Sequence, residues 1–99
     1  MSEERKFEKK NKANIQKMAK KDSIKKATTE WYNETYPYEY SYHFRWLGRP
    51  IIQYPQDIVA LQEIIWKIKP DLIIETGVAR GGSVIFSASM LELIGKGRV

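Results

Sequence analysis

The residues whose types and spacing could do chemistry lie in one string, Glu75-Thr76-Gly77-Val78-Ala79-Arg80-Gly81-Gly82-Ser83, preceded by the apolar run Leu72-Ile73-Ile74. Glycines let a backbone approach a ligand where a Cβ would collide, and the free N–H groups at a helix start favour a negatively charged group. An acidic residue at the carboxyl end of a strand stands at the crevice where open α/β sheets bind ligands. Strand, acid, glycine-rich turn and helix together predict a cofactor site. Spacing separates the candidate cofactors. A phosphate-binding P-loop requires Gly-x4-Gly-Lys-Ser/Thr; Gly77 and Gly82 have that separation, but Ser83 stands where the lysine is needed. A dinucleotide fingerprint requires Gly-x-Gly-x-x-Gly, and Ala79 occupies its second glycine position, which disfavours NAD without excluding it. A glycine-rich turn that binds nothing is the competing structural reading.

Other residues carry weaker signals. His43 is the one histidine of the chain, and no second ligand or orienting acid has a recognisable spacing to it, so packing or surface placement is expected. Asp57 and Glu63 lie six apart on one predicted helix, on roughly opposite faces, and cannot form a carboxylate pair there. Helix capping accounts for Asp57 and solvation for Glu63. Arg80 could steer an anionic substrate from the turn or be simply solvated. Cysteine is absent, which removes disulfides, thiolate nucleophiles and Cys-ligated metal and leans toward a reducing compartment.

The elements that must position the turn can be read around it. Pro55 suits the first turn of a helix and Asp57 lies where the helix dipole favours a negative charge. Ile58, Leu61, Ile65 and Ile68 follow at helical spacing, with Ile64 and Trp66 widening that face, and Pro70 closes the helix. Asp71 to Glu75 then reads as a strand buried on both faces, as in a parallel sheet. Ser83 to Ile94 reads as a second apolar helix stopped by Gly95, and Arg98-Val99 as the first step of another strand.

Upstream, residues 31–55 form an aromatic-rich flap and loop. The alternation from Tyr36 to Phe44 suits a short strand or, equally, an irregular flap, and Gly48 to Pro55 an extended loop leading into the helix. Residues 1–30 hold ten basic and five acidic side chains, whereas residues 31–99 hold seven of each, so the whole net charge of +5 lies in the leader. Its Phe7, Ile15, Met18 and Ile24 are sparse, and a frayed, solvated helix or tail is expected. Nucleic-acid binding is disfavoured because acids interrupt the charge run. No stretch reaches the roughly 18 apolar residues of a membrane span, and no apolar signal core follows the basic start. A cytoplasmic protein is the expectation.

The spacing Glu75-x-Gly77-x3-Gly81 looks like the first motif of class I methyltransferases. The surrounding text sharpens the likeness: Trp46 to Asp57, Gln62 to Trp66, and Lys69 to Ser83 together resemble the cephalosporin hydroxylase and rhamnosyl O-methyltransferase family over about residues 43–94. The resemblance implies S-adenosylmethionine as cofactor and O-methylation of a sugar or antibiotic-like small-molecule hydroxyl. It carries over Glu75, Thr76, Gly77, Gly81, Gly82 and Ser83 as cofactor-binding residues, with Glu75 an anion near the ammonium and sulfonium region. The ribose-binding acid and the ligands of a divalent metal such as Mg2+ would lie beyond Val99, so no catalytic or metal-binding residue is assigned in this chain.

The fold expected is α/β, the N-terminal part of a Rossmann-like three-layer sandwich, with residues 1–30 as a polar helical extension and residues 56–99 as the truncated start of the cofactor domain. One full strand cannot make a sheet, so apolar faces should lack partners, and an oligomer or a complementing chain is expected to cover them. The alternative to an enzyme portion is an inactive remnant or an interaction module with a basic tail.

Overall fold

A computed structural model describes residues 2–99. It divides into two compact units, Met1–Tyr38 and Glu39–Val99. The first contains α1 (Glu3–Ala19), α2 (Asp22–Thr35) and a 3₁₀ turn at Tyr36–Tyr38. The second contains a 3₁₀ turn at Tyr40–Tyr42, strands β1 (Phe44–Trp46) and β2 (Arg49–Ile51), and helices α3 (Pro55–Ile68) and α4 (Gly82–Ile94). Helices with one small antiparallel sheet make a mixed architecture, compatible with a portion of an α/β fold.

The leader is more regular than a frayed tail. Ser2 caps α1, its hydroxyl accepting from the Arg5 amide at 3.2 Å, and Glu3 and Glu4 occupy the first turn, where the helix dipole favours anions. In α2 the hydroxyls of Thr28, Thr29 and Thr35 donate back to the carbonyls of Ile24, Lys25 and Trp31, which satisfies these polar groups inside the helix. Neither helix buries a residue. Trp31 and Tyr32 belong to α2, and the Tyr36 to Tyr42 stretch forms the two 3₁₀ turns instead of a strand. The left-handed Glu39 (φ 55°) separates the turns and prevents a continuous extended run.

The segment read as an extended loop after Gly48 is half of a hairpin. Phe44 pairs with Ile51, Arg45 with Pro50 and Trp46 with Arg49. Leu47 (φ 48°) and Gly48 (φ 81°) are both left-handed, as a type I′ hairpin turn requires. Leu-Gly lacks the Asn-Gly or Asp-Gly chemistry that announces such a turn, which is why the sequence conceals it. Pro50 is accommodated because this two-stranded sheet offers an edge position.

Helix α3 begins with Pro55 in its first turn and ends at the left-handed Lys69 (φ 47°), one residue before Pro70. Its expected apolar face is buried only in part. Ile65 lies in the core with Ile51, Phe86 and Leu91, and Ile58 and Leu61 pack against that cluster. Ile64, Trp66 and Ile68 are exposed, and the Lys69 ammonium sits 3.6 Å from the Trp66 ring centroid. Helix α4 supplies Phe86 and Leu91 and ends at the left-handed Gly95, as expected.

Residues 71–75 form a parallel bridge, not a full strand. The Ile73 amide donates to the Arg98 carbonyl at 2.9 Å and the Arg98 amide to the Asp71 carbonyl at 3.1 Å, linking Leu72 to Arg98 across α4. Burial on both faces is not realised. Ile73 packs on the core, while Ile74 is 81% exposed and Leu72 48%. The physical reason is the one anticipated: a run with a single short pairing has no second layer against its outward side chains.

Candidate cofactor cleft

The glycine-rich string lies between the bridged run and the start of α4. Three of its residues are left-handed, Gly77 (φ 77°), Ala79 (φ 50°) and Gly81 (φ 87°). At Gly77 and Gly81 glycine adopts this conformation at little steric cost, whereas Ala79 carries a Cβ there. The Gly81 amide donates to the Val78 carbonyl at 2.9 Å, closing the turn, and Gly81 then serves as the N-cap of α4. No side chain caps that helix and its first turn holds no acidic residue, so the positive end of its dipole faces the turn uncapped.

The turn forms one side of a cleft of about 340 Å³. Glu75, Thr76, Gly77, Gly82 and Ser83 all line it, with Arg80 at the tip of the turn. Gly81 does not line it and contributes instead through its backbone conformation. The opposite side comes from Pro50, Ile52 and Gln53, at and beyond the end of the hairpin. Sequence reasoning did not assign these three to a site. Their placement depends on β2 packing beside α4, and no local pattern signals that.

Glu75 is half-buried, and its Oε2 is buried with no hydrogen-bond partner among the described residues. A buried polar atom is ordinarily paired, and a carboxylate left without donors is costly, so this oxygen is suited to accepting from a bound ammonium or hydroxyl. A negative side chain and an uncapped helix N-terminus in one cleft offer complementary poles to a zwitterion.

Gly82 has a second duty. It is buried, and a Cβ built on it would lie 2.7 Å from the Ile51 Cα, with the Pro50 carbonyl closer still. The position therefore sets how closely α4 approaches β2, besides facing the cleft. The hairpin is fastened further along α4 by Trp46, whose ring meets Phe86 edge-on at 4.8 Å and whose indole N–H donates to Ser89 Oγ at 2.9 Å.

Of the weaker candidates, Arg80 lines the cleft and His43, Asp57 and Glu63 fall outside it. His43 is exposed and lies against the Tyr40 ring at 6.1 Å between centroids. Asp57 occupies the first turn of α3, and both it and Glu63 are exposed. Among the described residues no three His, Cys, Asp or Glu side chains cluster to hold a metal ion, and no helix is long and apolar enough to cross a membrane.

Residues 38–99 match the family described as rhamnosyl O-methyltransferase/CmcI. A rhamnosyl O-methyltransferase of Mycobacterium leprae (strain TN) is 31% identical over 75 residues, which are 76% of this chain and 31% of that protein. The chain thus spans about a third of the length of the curated relative it matches. No solved structure matches. The match takes in both sides of the cleft and more than half of the sequence, and the chain belongs to the rhamnosyl O-methyltransferase/CmcI family.

Proposed function

We propose that this chain binds S-adenosylmethionine in the cleft between the Glu75–Ser83 turn and the hairpin, as the cofactor-binding portion of an O-methyltransferase. The observation that carries the reading is that Glu75, whose buried Oε2 has no partner among the described residues, lines the same cleft as Gly82 and Ser83 at the uncapped N-terminus of α4. These residues fit the amino-acid end of that cofactor. Glu75 accepts hydrogen bonds from its ammonium, and the backbone N–H groups at the start of α4 receive its carboxylate. Thr76, Gly77 and Ser83 form the remaining surface of the turn, and Gly81 and Gly82 hold the backbone in place. When bound, the cofactor supplies an electrophilic methyl group on its sulfonium.

The acceptor we propose is a sugar or antibiotic-like small-molecule hydroxyl, and the likeness to a rhamnosyl O-methyltransferase supports the sugar. The parent fold we propose is a Rossmann-like three-layer sandwich in a cytoplasmic protein, supported by the parallel Leu72–Arg98 bridge across α4. No described residue is assigned as base or as metal ligand, so a Mg2+ requirement would be met by other groups. A second reading, a non-catalytic interaction module working with an oligomeric copy or a complementing chain, is favoured by the exposed Ile64, Ile68, Leu72 and Ile74.

Calorimetric titration of the chain with S-adenosylmethionine tests the first reading, with Glu75→Ala and Gly81→Val alongside. Saturable heat from the native sequence, lost in both variants, is expected. No heat from a chain shown to be folded by circular dichroism would remove cofactor binding and leave the second reading.

A further inference from the structure

Helix α1 carries its three large apolar side chains on one side of its axis. With about 100° per residue, Phe7, Ile15 and Met18 fall within a sector about 80° wide. All three are exposed, and α1 buries no residue. Asn11 and Glu4 fall inside this sector, Glu3 and Glu8 border it, Lys10 and Lys12 lie just beyond them on its two sides, and Lys6, Lys9 and Lys17 lie farther round. Between residues 3 and 21 eight basic side chains stand against three acidic ones, a net of +5.

From this arrangement we propose that α1 is an interfacial helix that lies on an anionic lipid surface, with Phe7, Ile15 and Met18 toward the acyl boundary and the lysines at headgroup level. Charge complementarity identifies the surface as anionic, and the apolar stripe selects lipid over nucleic acid. A phosphate backbone takes up the lysines and leaves the stripe in water, whereas a bilayer interface accommodates both. Lysine stems reach along an apolar boundary while their ammonium groups remain in water, which lets the flanking Lys10 and Lys12 contact headgroups. Each basic residue near such a surface strengthens binding about fivefold, so the cations can supply most of the attraction for a three-residue stripe. Glu4 inside the apolar sector and Glu3 and Glu8 at its borders oppose binding. This surface lies within the Met1–Tyr38 unit.

The test is co-sedimentation of the full chain with phosphatidylcholine vesicles, with and without phosphatidylserine, and a competing arm with double-stranded DNA. The native sequence should bind the phosphatidylserine vesicles and not pure phosphatidylcholine. The triple variant Phe7→Ser, Ile15→Ser, Met18→Ser keeps every charge and should weaken vesicle binding at least about tenfold, since each large apolar contact contributes to interfacial affinity. Glu4→Gln with Glu8→Gln should tighten it several-fold. Circular dichroism in the presence of vesicles shows whether the triple variant remains helical. Vesicle binding that ignores the charge-neutral triple substitution, failure to bind phosphatidylserine vesicles, or DNA that displaces the chain from vesicles through contacts insensitive to the stripe would each overturn the proposal.

Discussion

Gly82 and Ile51 touch through bare backbone: a Cβ on the glycine would meet the Ile51 Cα at 2.7 Å, so the first turn of α4 rests directly on β2. Because Pro50 and Gly82 also line the cleft, this one contact fixes the spacing between the glycine-rich turn and the hairpin wall. The atoms in the way are mostly main chain and cannot swing aside.

Gly82→Ala should therefore destabilise the Glu39–Val99 unit by about 2 kcal/mol or more, as overpacking at a rigid contact does. Gly81→Ala meets no atom within 4 Å and carries only the cost of its left-handed φ of 87°, about 1–2 kcal/mol. Urea denaturation of the two variants distinguishes the mechanisms. Equal losses would mean that the close packing at Gly82 does not persist in solution.

Trp46 ties the hairpin to α4 by ring and by hydrogen bond. Trp46→Phe keeps an aromatic ring, gives up the bond to Ser89 and should cost about 1–2 kcal/mol, including the smaller ring. Ser89→Ala leaves the indole N–H seeking water in a half-buried position and should cost about 1 kcal/mol. A double-mutant cycle should show coupling between the two. Additive losses would separate the hydrogen bond from stability.

The apolar run divides by exposure. Ile73 packs on the core and Ile74 is 81% exposed, so Ile73→Ala should lose about 2 kcal/mol while Ile74→Thr stays within about 0.5 kcal/mol. Thermal denaturation at several protein concentrations makes this comparison. A large cost at Ile74 that appears only at high concentration would place that side chain in an association interface.

Glu75→Gln replaces the carboxylate by an amide of the same shape and should weaken S-adenosylmethionine binding by about tenfold, the difference between a charged and a neutral acceptor for an ammonium. Stability should hold or rise, because the buried Oε2 has no partner to lose among the described residues. Calorimetry for binding and urea denaturation for stability read the two effects separately. Unchanged affinity would remove Glu75 from the site.

Much of this protein is determined locally, and those parts were legible in the sequence. Pro55 and the periodic isoleucines set α3, Gly95 stops α4, and the acid and glycines between residues 75 and 82 specify the turn, because each acts through its own backbone or its neighbours within a few residues. The charge of the leader was equally plain, although its regular helices, α1 capped by Ser2 and α2 without a side-chain cap, were not, since sparse apolar residues hid them. Only the tertiary structure decided that Leu47-Gly48 turns a hairpin, that Pro50, Ile52 and Gln53 face the glycine-rich turn, and that Ile73 is covered while Ile74 is not. These outcomes depend on which surfaces meet. Gly82 against Ile51 and Trp46 against Ser89 are contacts between residues more than thirty positions apart, and no local propensity specifies them.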